Sequence, residues 1–331
     1  MKQAHTNKIG IFYDPIIKED SFNGSHLEQI RAAAPEADVI VVKDSKEKTD
    51  EILAKCANVE IFFGTDIKDW IKSLHNLKWV QVAIAGVDWL LNDPDIANSD
   101  VAITNASGVH AIPISEHVLA IMLSFCRNMT VHFKDQMNRK WRRLPEYREL
   151  SGFTIGIIGI GKIGEKIAET AKALGMKVSG LRRNPDRTSP YVDRMFGPDQ
   201  LLEMLPACDW VVISAAATKE TEGMIGAPEF NAMKKSAHII NIARGALIQE
   251  DELIKALREG RIAGAGLDVF EKEPLEESSP FWELPNVIIT PHVAGGTPYY
   301  VDRLVDIFCE NIKRYYSGKP LINLVDRKLG Y

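Results

Sequence analysis

The sequence predicts an α/β protein built on two doubly wound parallel sheets. Three observations carry that expectation. Strand-length apolar runs alternate with helical segments, the 331 residues exceed what one small core uses, and a glycine turn near the middle opens a second series of alternations.

In the first series, strands are expected near Lys8 to Phe12, Asp38 to Val42, Ile61 to Gly64, Trp79 to Ala83 and Val101 to Thr104. Ser25 to Ala34 and Ser45 to Cys56 have helical composition, so crossover helices joining parallel strands are the economical arrangement. Pro113 to Phe125 is an apolar helix that contains Ser115, Glu116 and His117. It is too short to span a bilayer and reads as buried.

The second series opens with Phe153 to Ile158, a continuous apolar run. Gly159-Ile-Gly161-Lys-Ile-Gly164 follows at once, Glu165 to Leu174 has helical spacing, Gly175 stops it, and Met176 to Leu181 supplies the next strand. A lone GxGxxG is weak, but a complete βαβ unit around it points to a bound dinucleotide. Gly159 permits the tight turn, Gly161 lets backbone N–H groups approach a pyrophosphate, and Gly164 allows close helix–strand packing. Further strands are expected at Trp210 to Ser214, His238 to Ile242, Ala263 to Val269 and Val287 to Thr290. Helices are expected at Glu229 to Met233 and at Glu250 to Arg258, the latter closed by Gly260. In the last helix, Tyr299 to Tyr316, Val301, Leu304, Val305, Phe308, Ile312 and Tyr315 share one face. That face must pack on something, and spacing does not say which domain receives it.

Where an NAD-binding unit usually places an acidic residue on the adenosine ribose, this chain has Arg182 and Arg183. Neither accepts a hydrogen bond, and a guanidinium suits a 2'-phosphate. NADP(H) is the expected cofactor, with NAD(H) as the alternative and Arg187 near enough in sequence to join the site. Two solvated arginines at a strand end are the competing explanation.

Composition sets further bounds. A net charge of -5 and 45% hydrophobic residues describe a globular chain with no general attraction to nucleic acid or anionic membranes. Cys56, Cys126, Cys208 and Cys309 are scattered without metal-ligand spacing, so free thiols in a reducing compartment and no metal site are expected. The N-terminal Met1-Lys-Gln-Ala-His-Thr-Asn-Lys8 lacks the apolar stretch of a signal peptide, and a cytoplasmic location is the expectation.

Three residues fall at or beyond the carboxyl ends of strands in the second series: Arg244, Glu273 and His292. Ligands of doubly wound sheets bind at that edge. An arginine before Gly245 can aim its fork at a small carboxylate, and a histidine near a glutamate has the makings of a general acid. Taken singly, each has a plainer explanation: Arg244 pairing with Glu250 or Asp251, Glu273 as a solvated loop charge, His292 as a satisfied loop histidine. Their shared edge favours chemistry. His110 and His117 rank lower as acids, because they precede the nucleotide unit and His117 falls in a helix expected to be core.

The chain resembles the D-2-hydroxyacid dehydrogenases over nearly its whole length. The resemblance rests on Ala85-Gly-Val-Asp88, Ile114-Ser-Glu-His117, Gly159 to Gly164, Asn241-Ile-Ala-Arg-Gly245, Gly266-Leu-Asp-Val-Phe-Glu-Lys-Glu-Pro274 and Thr290-Pro-His-Val-Ala-Gly295. It implies a Rossmann cofactor domain (106–295) inserted in a flavodoxin-like substrate domain (1–105 and 296–331), which assigns the last helix to the latter. It implies that Arg244 binds substrate, Glu273 supports the histidine and His292 is the acid/base, while the Gly86 and Val87 backbone holds the substrate carboxylate. Cofactor contacts are implied for Gly159, Gly161, Lys162, Ile163, Gly164, Arg182, Arg183, Ala215, Thr221, Ala243 and Asp268, the last to the nicotinamide amide.

Members of this kind are commonly homodimers, joined here by about Ser115 to Leu150. Trp141 lies in that region. Similarity to glyoxylate and hydroxypyruvate reductases would bring it to an active site, and a core or interface aromatic is the competing explanation. Two departures stand out: Arg182 in place of the acidic residue, and Ala215-Ala-Ala-Thr218 in place of a proline-containing version. Glu273 argues against the formate dehydrogenase branch, which typically lacks it.

The expected reaction is hydride transfer from NADPH to a small 2-keto acid such as glyoxylate or hydroxypyruvate. The alternatives are a dinucleotide-sensing corepressor and an NAD-dependent phosphoglycerate dehydrogenase. Against the first stands the complete Arg244, Glu273 and His292 set, and against the second the short stretch after the last motif.

Overall fold

The computed structural model describes residues 7–18, 20–87 and 93–327. The chain divides into two compact units, Met1–Val109 with Thr297–Tyr331, and His110–Gly296. Both are α/β units with all-parallel sheets, and the second is a Rossmann domain. Ala106 and Val109 belong to the core of the first unit, so its first segment runs past residue 105.

In the first unit, β1 (Lys8–Phe12), β2 (Asp38–Val42), β3 (Val59–Phe63), β4 (Trp79–Gln81) and β5 (Ala102–Thr104) assemble in the order β2-β1-β3-β4-β5. This is the flavodoxin-like order. The strands are rich in Val, Ile and Phe because β1 and β3 are covered on both faces. Asn23 starts the first helix, Gly24–Ala33, with a reciprocal capping box to His26. The helix Tyr300–Tyr316 buries Val301, Leu304, Val305, Phe308 and Ile312 on this sheet. Phe308 stacks on Phe63 at 4.2 Å, so the apolar face left unassigned by spacing covers β3.

The second unit contains β6 (Thr154–Ile158), β7 (Lys177–Leu181), β8 (Arg194–Phe196), β9 (Trp210–Ile213), β10 (His238–Asn241), β11 (Gly264–Leu267) and β12 (Val287–Ile289). Their order is β12-β11-β10-β9-β6-β7-β8. It reverses direction beside β6, the doubly wound pattern whose switch point receives a dinucleotide. One face is covered by the helices Ala111–Cys126 and Lys162–Ala173, the other by a core that includes Phe230, Leu253 and Phe281.

Several short or solvated elements were not anticipated, among them the helices Ile67–Trp70, Pro94–Ala97 and Leu201–Met204. β8 is a three-residue edge strand whose Arg194 guanidinium lies over the Phe196 ring, too short and too charged to show alternation. The helix Met129–Met137 is largely solvated and buries only Asp135, so its sequence carries no apolar stripe. All four cysteines are free thiols, and burial pushes Cys208 up to about 12. Among the described residues, no helix is long and apolar enough to cross a membrane.

Candidate active site

At the carboxyl edge of the second sheet, buried Asn241 ends β10 and shapes the turn that follows. Its side chain donates to the Arg244 carbonyl at 2.9 Å and accepts from the Ala243 amide at 3.1 Å. Arg244 Nη1 in turn donates to the Ala243 carbonyl at 2.8 Å, and among the described residues no ion pair joins it to Glu250 or Asp251. Glu250 instead accepts from the Glu271 amide at 2.8 Å. A Cβ at Gly245 would lie 1.9 Å from the Phe270 carbonyl carbon, so only glycine lets the Arg244 turn press against the loop carrying Glu273.

Glu273 and His292 meet directly. One carboxylate oxygen, Oε1, accepts from the Phe270 amide at 3.0 Å and the other, Oε2, lies 2.7 Å from His292 Nδ1. A carboxylate has no proton to give, so Nδ1 carries the hydrogen and Nε2 is the nitrogen left for chemistry. The pair is partly open to solvent, with the His292 side chain 51% exposed. Among the described residues no hydrogen bond or ion pair joins Arg244 to either of them, and its turn approaches Glu273 through Gly245 and the Phe270–Glu271 backbone.

His292 occupies the left-handed region at φ 54, a conformation that costs a non-glycine residue of order 1 kcal/mol or more. Asp268 holds it there. Its carbonyl accepts from the His292 amide at 2.8 Å, its Oδ1 from Val293 at 2.9 Å, and its Oδ2 from Ala294 at 2.9 Å. Thr290 Oγ1 donates to Oδ1 at 2.6 Å. The Asp268 side chain is therefore buried and already occupied with the His292 turn, a duty that spacing did not reveal.

The nucleotide end is formed by the β6 turn. Gly159 sits at φ 100, and a Cβ there would lie 2.6 Å from the Ala215 amide, so the turn and the loop after β9 are in contact. Gly164 is buried against the Gly159 carbonyl. The helix begins at Lys162 and Ile163 with Gly161 as its N-cap, no side chain closes its first turn, and the space a Gly161 Cβ would fill is open. Such an end fits a pyrophosphate.

Beyond β7, Arg182 Nη1 donates to the Arg187 carbonyl at 2.9 Å, and Arg183 lies 3.6 Å from Glu220. Partial burial, and then the neighbouring Arg187 charge, lower the Arg182 pKa. An anion between these guanidiniums would relieve their repulsion, so the group fits a 2'-phosphate. Thr221 Oγ1 donates to the Ala216 carbonyl at 2.7 Å and accepts from the Thr218 amide, closing the loop after Ala215. Ala243 is buried.

In the first unit, Gly86 and Val87 follow β4. The Asn105 side chain braces their loop by donating to the Ala85 carbonyl at 2.9 Å, and Val87 is buried. Asp88 of the same motif lies outside the described residues. Trp141 is 99% exposed, which excludes a core role within this chain. His110 Nδ1 lies 2.9 Å from the Gly295 carbonyl, and His117 Nε2 lies 3.1 Å from Thr290 Oγ1. Both flank the His292 turn. Their place in the helix Ala111–Cys126 and just before it gave no sign of this.

Residues 119–294 match the family described as D-isomer specific 2-hydroxyacid dehydrogenase, NAD binding domain. The chain belongs to this family. This dehydrogenase is thus an oxidoreductase that uses NAD(P). It is 35% identical over 220 residues to glyoxylate/hydroxypyruvate reductase A of Photorhabdus laumondii, covering 66% of this chain and 69% of that protein. It is also 31% identical over 309 residues to a D-3-phosphoglycerate dehydrogenase of Archaeoglobus fulgidus, covering 92% of this chain but 54% of that longer protein. Among solved structures, the NADPH-dependent glyoxylate/hydroxypyruvate reductase of Sinorhizobium meliloti, in complex with NADP and sulfate, superposes with a TM-score of 0.78 at 27% identity. That match covers 98% of this chain and 100% of the other.

Proposed function

We propose that this dehydrogenase reduces a small 2-keto acid, glyoxylate or hydroxypyruvate in class, to the D-2-hydroxy acid with NADPH. The observation that carries the reading is the 2.7 Å contact between His292 Nδ1 and Glu273, on turns at the carboxyl edge of a dinucleotide-binding sheet. A bound nicotinamide supplies hydride to the carbonyl carbon. His292, protonated, gives its Nε2 proton to the carbonyl oxygen, and Glu273 favours that imidazolium by accepting from Nδ1. Arg244 binds the carboxylate and steadies charge growing on the oxygen, with the Gly86 and Val87 backbone as further carboxylate contacts.

The cofactor would be held by Gly159, Gly161, Lys162, Ile163 and Gly164 at the pyrophosphate, and by Arg182 and Arg183 at the 2'-phosphate. Ala215, Thr221 and Ala243 would line it, and Asp268 would set the nicotinamide end. Preference for NADPH is supported by the cationic group beyond β7 and by the NADP bound in the Sinorhizobium structure. We also propose a homodimer, because Phe133, Met137 and Trp141 expose a large apolar surface in the segment expected to join two copies. Light scattering of the purified chain decides that point, and a monomer would refute it.

A panel of 2-keto acids, one of them phosphorylated, assayed with NADPH and NADH tests the reading. The expected result is fastest turnover of the small unphosphorylated acids with NADPH. Nucleotide binding without turnover of any acid would favour a sensor, and preference for the phosphorylated acid with NADH would favour the phosphoglycerate alternative.

A further inference from the structure

We propose that His117 is a positioning residue for His292, acting through Thr290 and Asp268. The inference rests on the reading of His292 as the proton donor. It begins with a proton inventory. The Thr290 hydroxyl has one hydrogen, and its oxygen lies 2.6 Å from Asp268 Oδ1 and 3.1 Å from His117 Nε2. The same Oδ1 also accepts from the Val293 amide, and Oδ2 accepts from Ala294, as expected of an ionised carboxylate. The Thr290 hydrogen therefore goes to Asp268, the shorter and charge-assisted bond. The hydroxyl oxygen is left as an acceptor, and His117 must present Nε2–H.

The result is a directed chain: His117 Nε2–H to Thr290 Oγ1–H to Asp268 Oδ1, and from Asp268 to the amides on both sides of the His292 turn. His117 Nε2 is itself 3.9 Å from Asp268 Oδ1, close enough to add attraction without a direct bond. The helix Ala111–Cys126 thereby anchors a turn that His292 would otherwise leave, since φ 54 is unfavourable for it. Without the His117 donor, the Thr290 oxygen keeps its bond to Asp268 but loses its tie to the helix, and the amide clamp on residues 292–294 loosens. Loss of placement affects proton delivery more than ligand binding. Misplacement of about 1 Å costs up to about 100-fold in rate.

The test uses the full chain and steady-state reduction of the best 2-keto acid with NADPH. His292→Ala is measured first, because an active His292→Ala would overturn the acid assignment rather than this inference. His117→Phe is expected to lower kcat about 10- to 100-fold, with KM for the keto acid and Kd for NADPH within about threefold of the parent. His117→Gln, whose amide nitrogen can donate to the same hydroxyl, should recover most of that loss. Thr290→Ser should likewise exceed Thr290→Val, a comparison that stands even where His117→Phe does not fold. Parental kcat in His117→Phe, or a His117→Gln no better than His117→Phe at equal thermal stability, would overturn the proposal.

Discussion

The two edges of the second sheet carry the same three kinds of residue and put them to different use. At the carboxyl edge stand Arg244, Glu273 and His292; at the amino edge stand Arg148, Asp209 and His238. His292 has a carboxylate on Nδ1 and an exposed ring. His238 is buried, stacked on Trp210 and close to Phe125, each with ring centroids 4.6 Å away. Asp209 is directed elsewhere, its oxygens accepting from Lys234 Nζ at 2.7 Å and from the Thr154 amide at 2.9 Å. Burial first, and then the Arg148 charge, push the His238 pKa down to about 4. A cavity of about 250 Å³ opens at this amino edge, lined by Arg148, Phe153, Trp210 and His238 among others. Composition and cavity size therefore do not mark a site for proton transfer. What sets the proposed proton donor apart is the carboxylate on its Nδ1.

That contrast can be broken from either side. The largest effect is expected from Arg244→Ala, which should cost about 1,000-fold in kcat/KM for a 2-keto acid, in line with loss of an oxyanion donor. Arg148→Ala, its counterpart at the other edge, should leave kcat/KM within about twofold. Equal losses in the two variants would erase the distinction.

Next comes acid stability. His238 is held below its ordinary value of 6.5, so the unfolded chain takes up a proton between about 6.5 and about 4 that the folded chain refuses. Its contribution is complete above 6.5 and falls away through that window, by about 3 kcal/mol in all. Urea midpoints at pH 7.5 and pH 4 should show this loss, and His238→Phe, which keeps the ring stack, should show a smaller one. Identical acid slopes would remove His238 from the account.

A smaller effect sharpens the nucleotide end. Arg182→Asp combined with Arg183→Ser should weaken NADPH binding about tenfold or more and NADH binding less than about threefold, since only NADPH loses a phosphate partner. An unchanged ratio would make both arginines solvated strand-end residues.

The sheets were legible because their strands are apolar runs bounded by glycines and polar turns, as at β1, β2 and β6. β8 and the helix Met129–Met137 were not, because edge and solvated elements carry little hydrophobic pattern. The position of Arg244, Glu273 and His292 at strand ends could be read from spacing. The clamp could not: Asp268 and Thr290 are 22 residues apart, and the register that joins them pairs Leu267 with Ile289 one residue earlier in each strand. His117 was hidden for the same reason. Helical spacing placed it toward a core, and only the fold sets Thr290 beside it.

The most direct test of the central claim is the turnover of His292→Ala at saturating NADPH and 2-keto acid, with NADPH affinity measured in parallel. The account expects kcat to fall by about 100- to 10,000-fold, as for loss of a general acid, while NADPH binds as before. A variant that retains more than a tenth of parental kcat would contradict it.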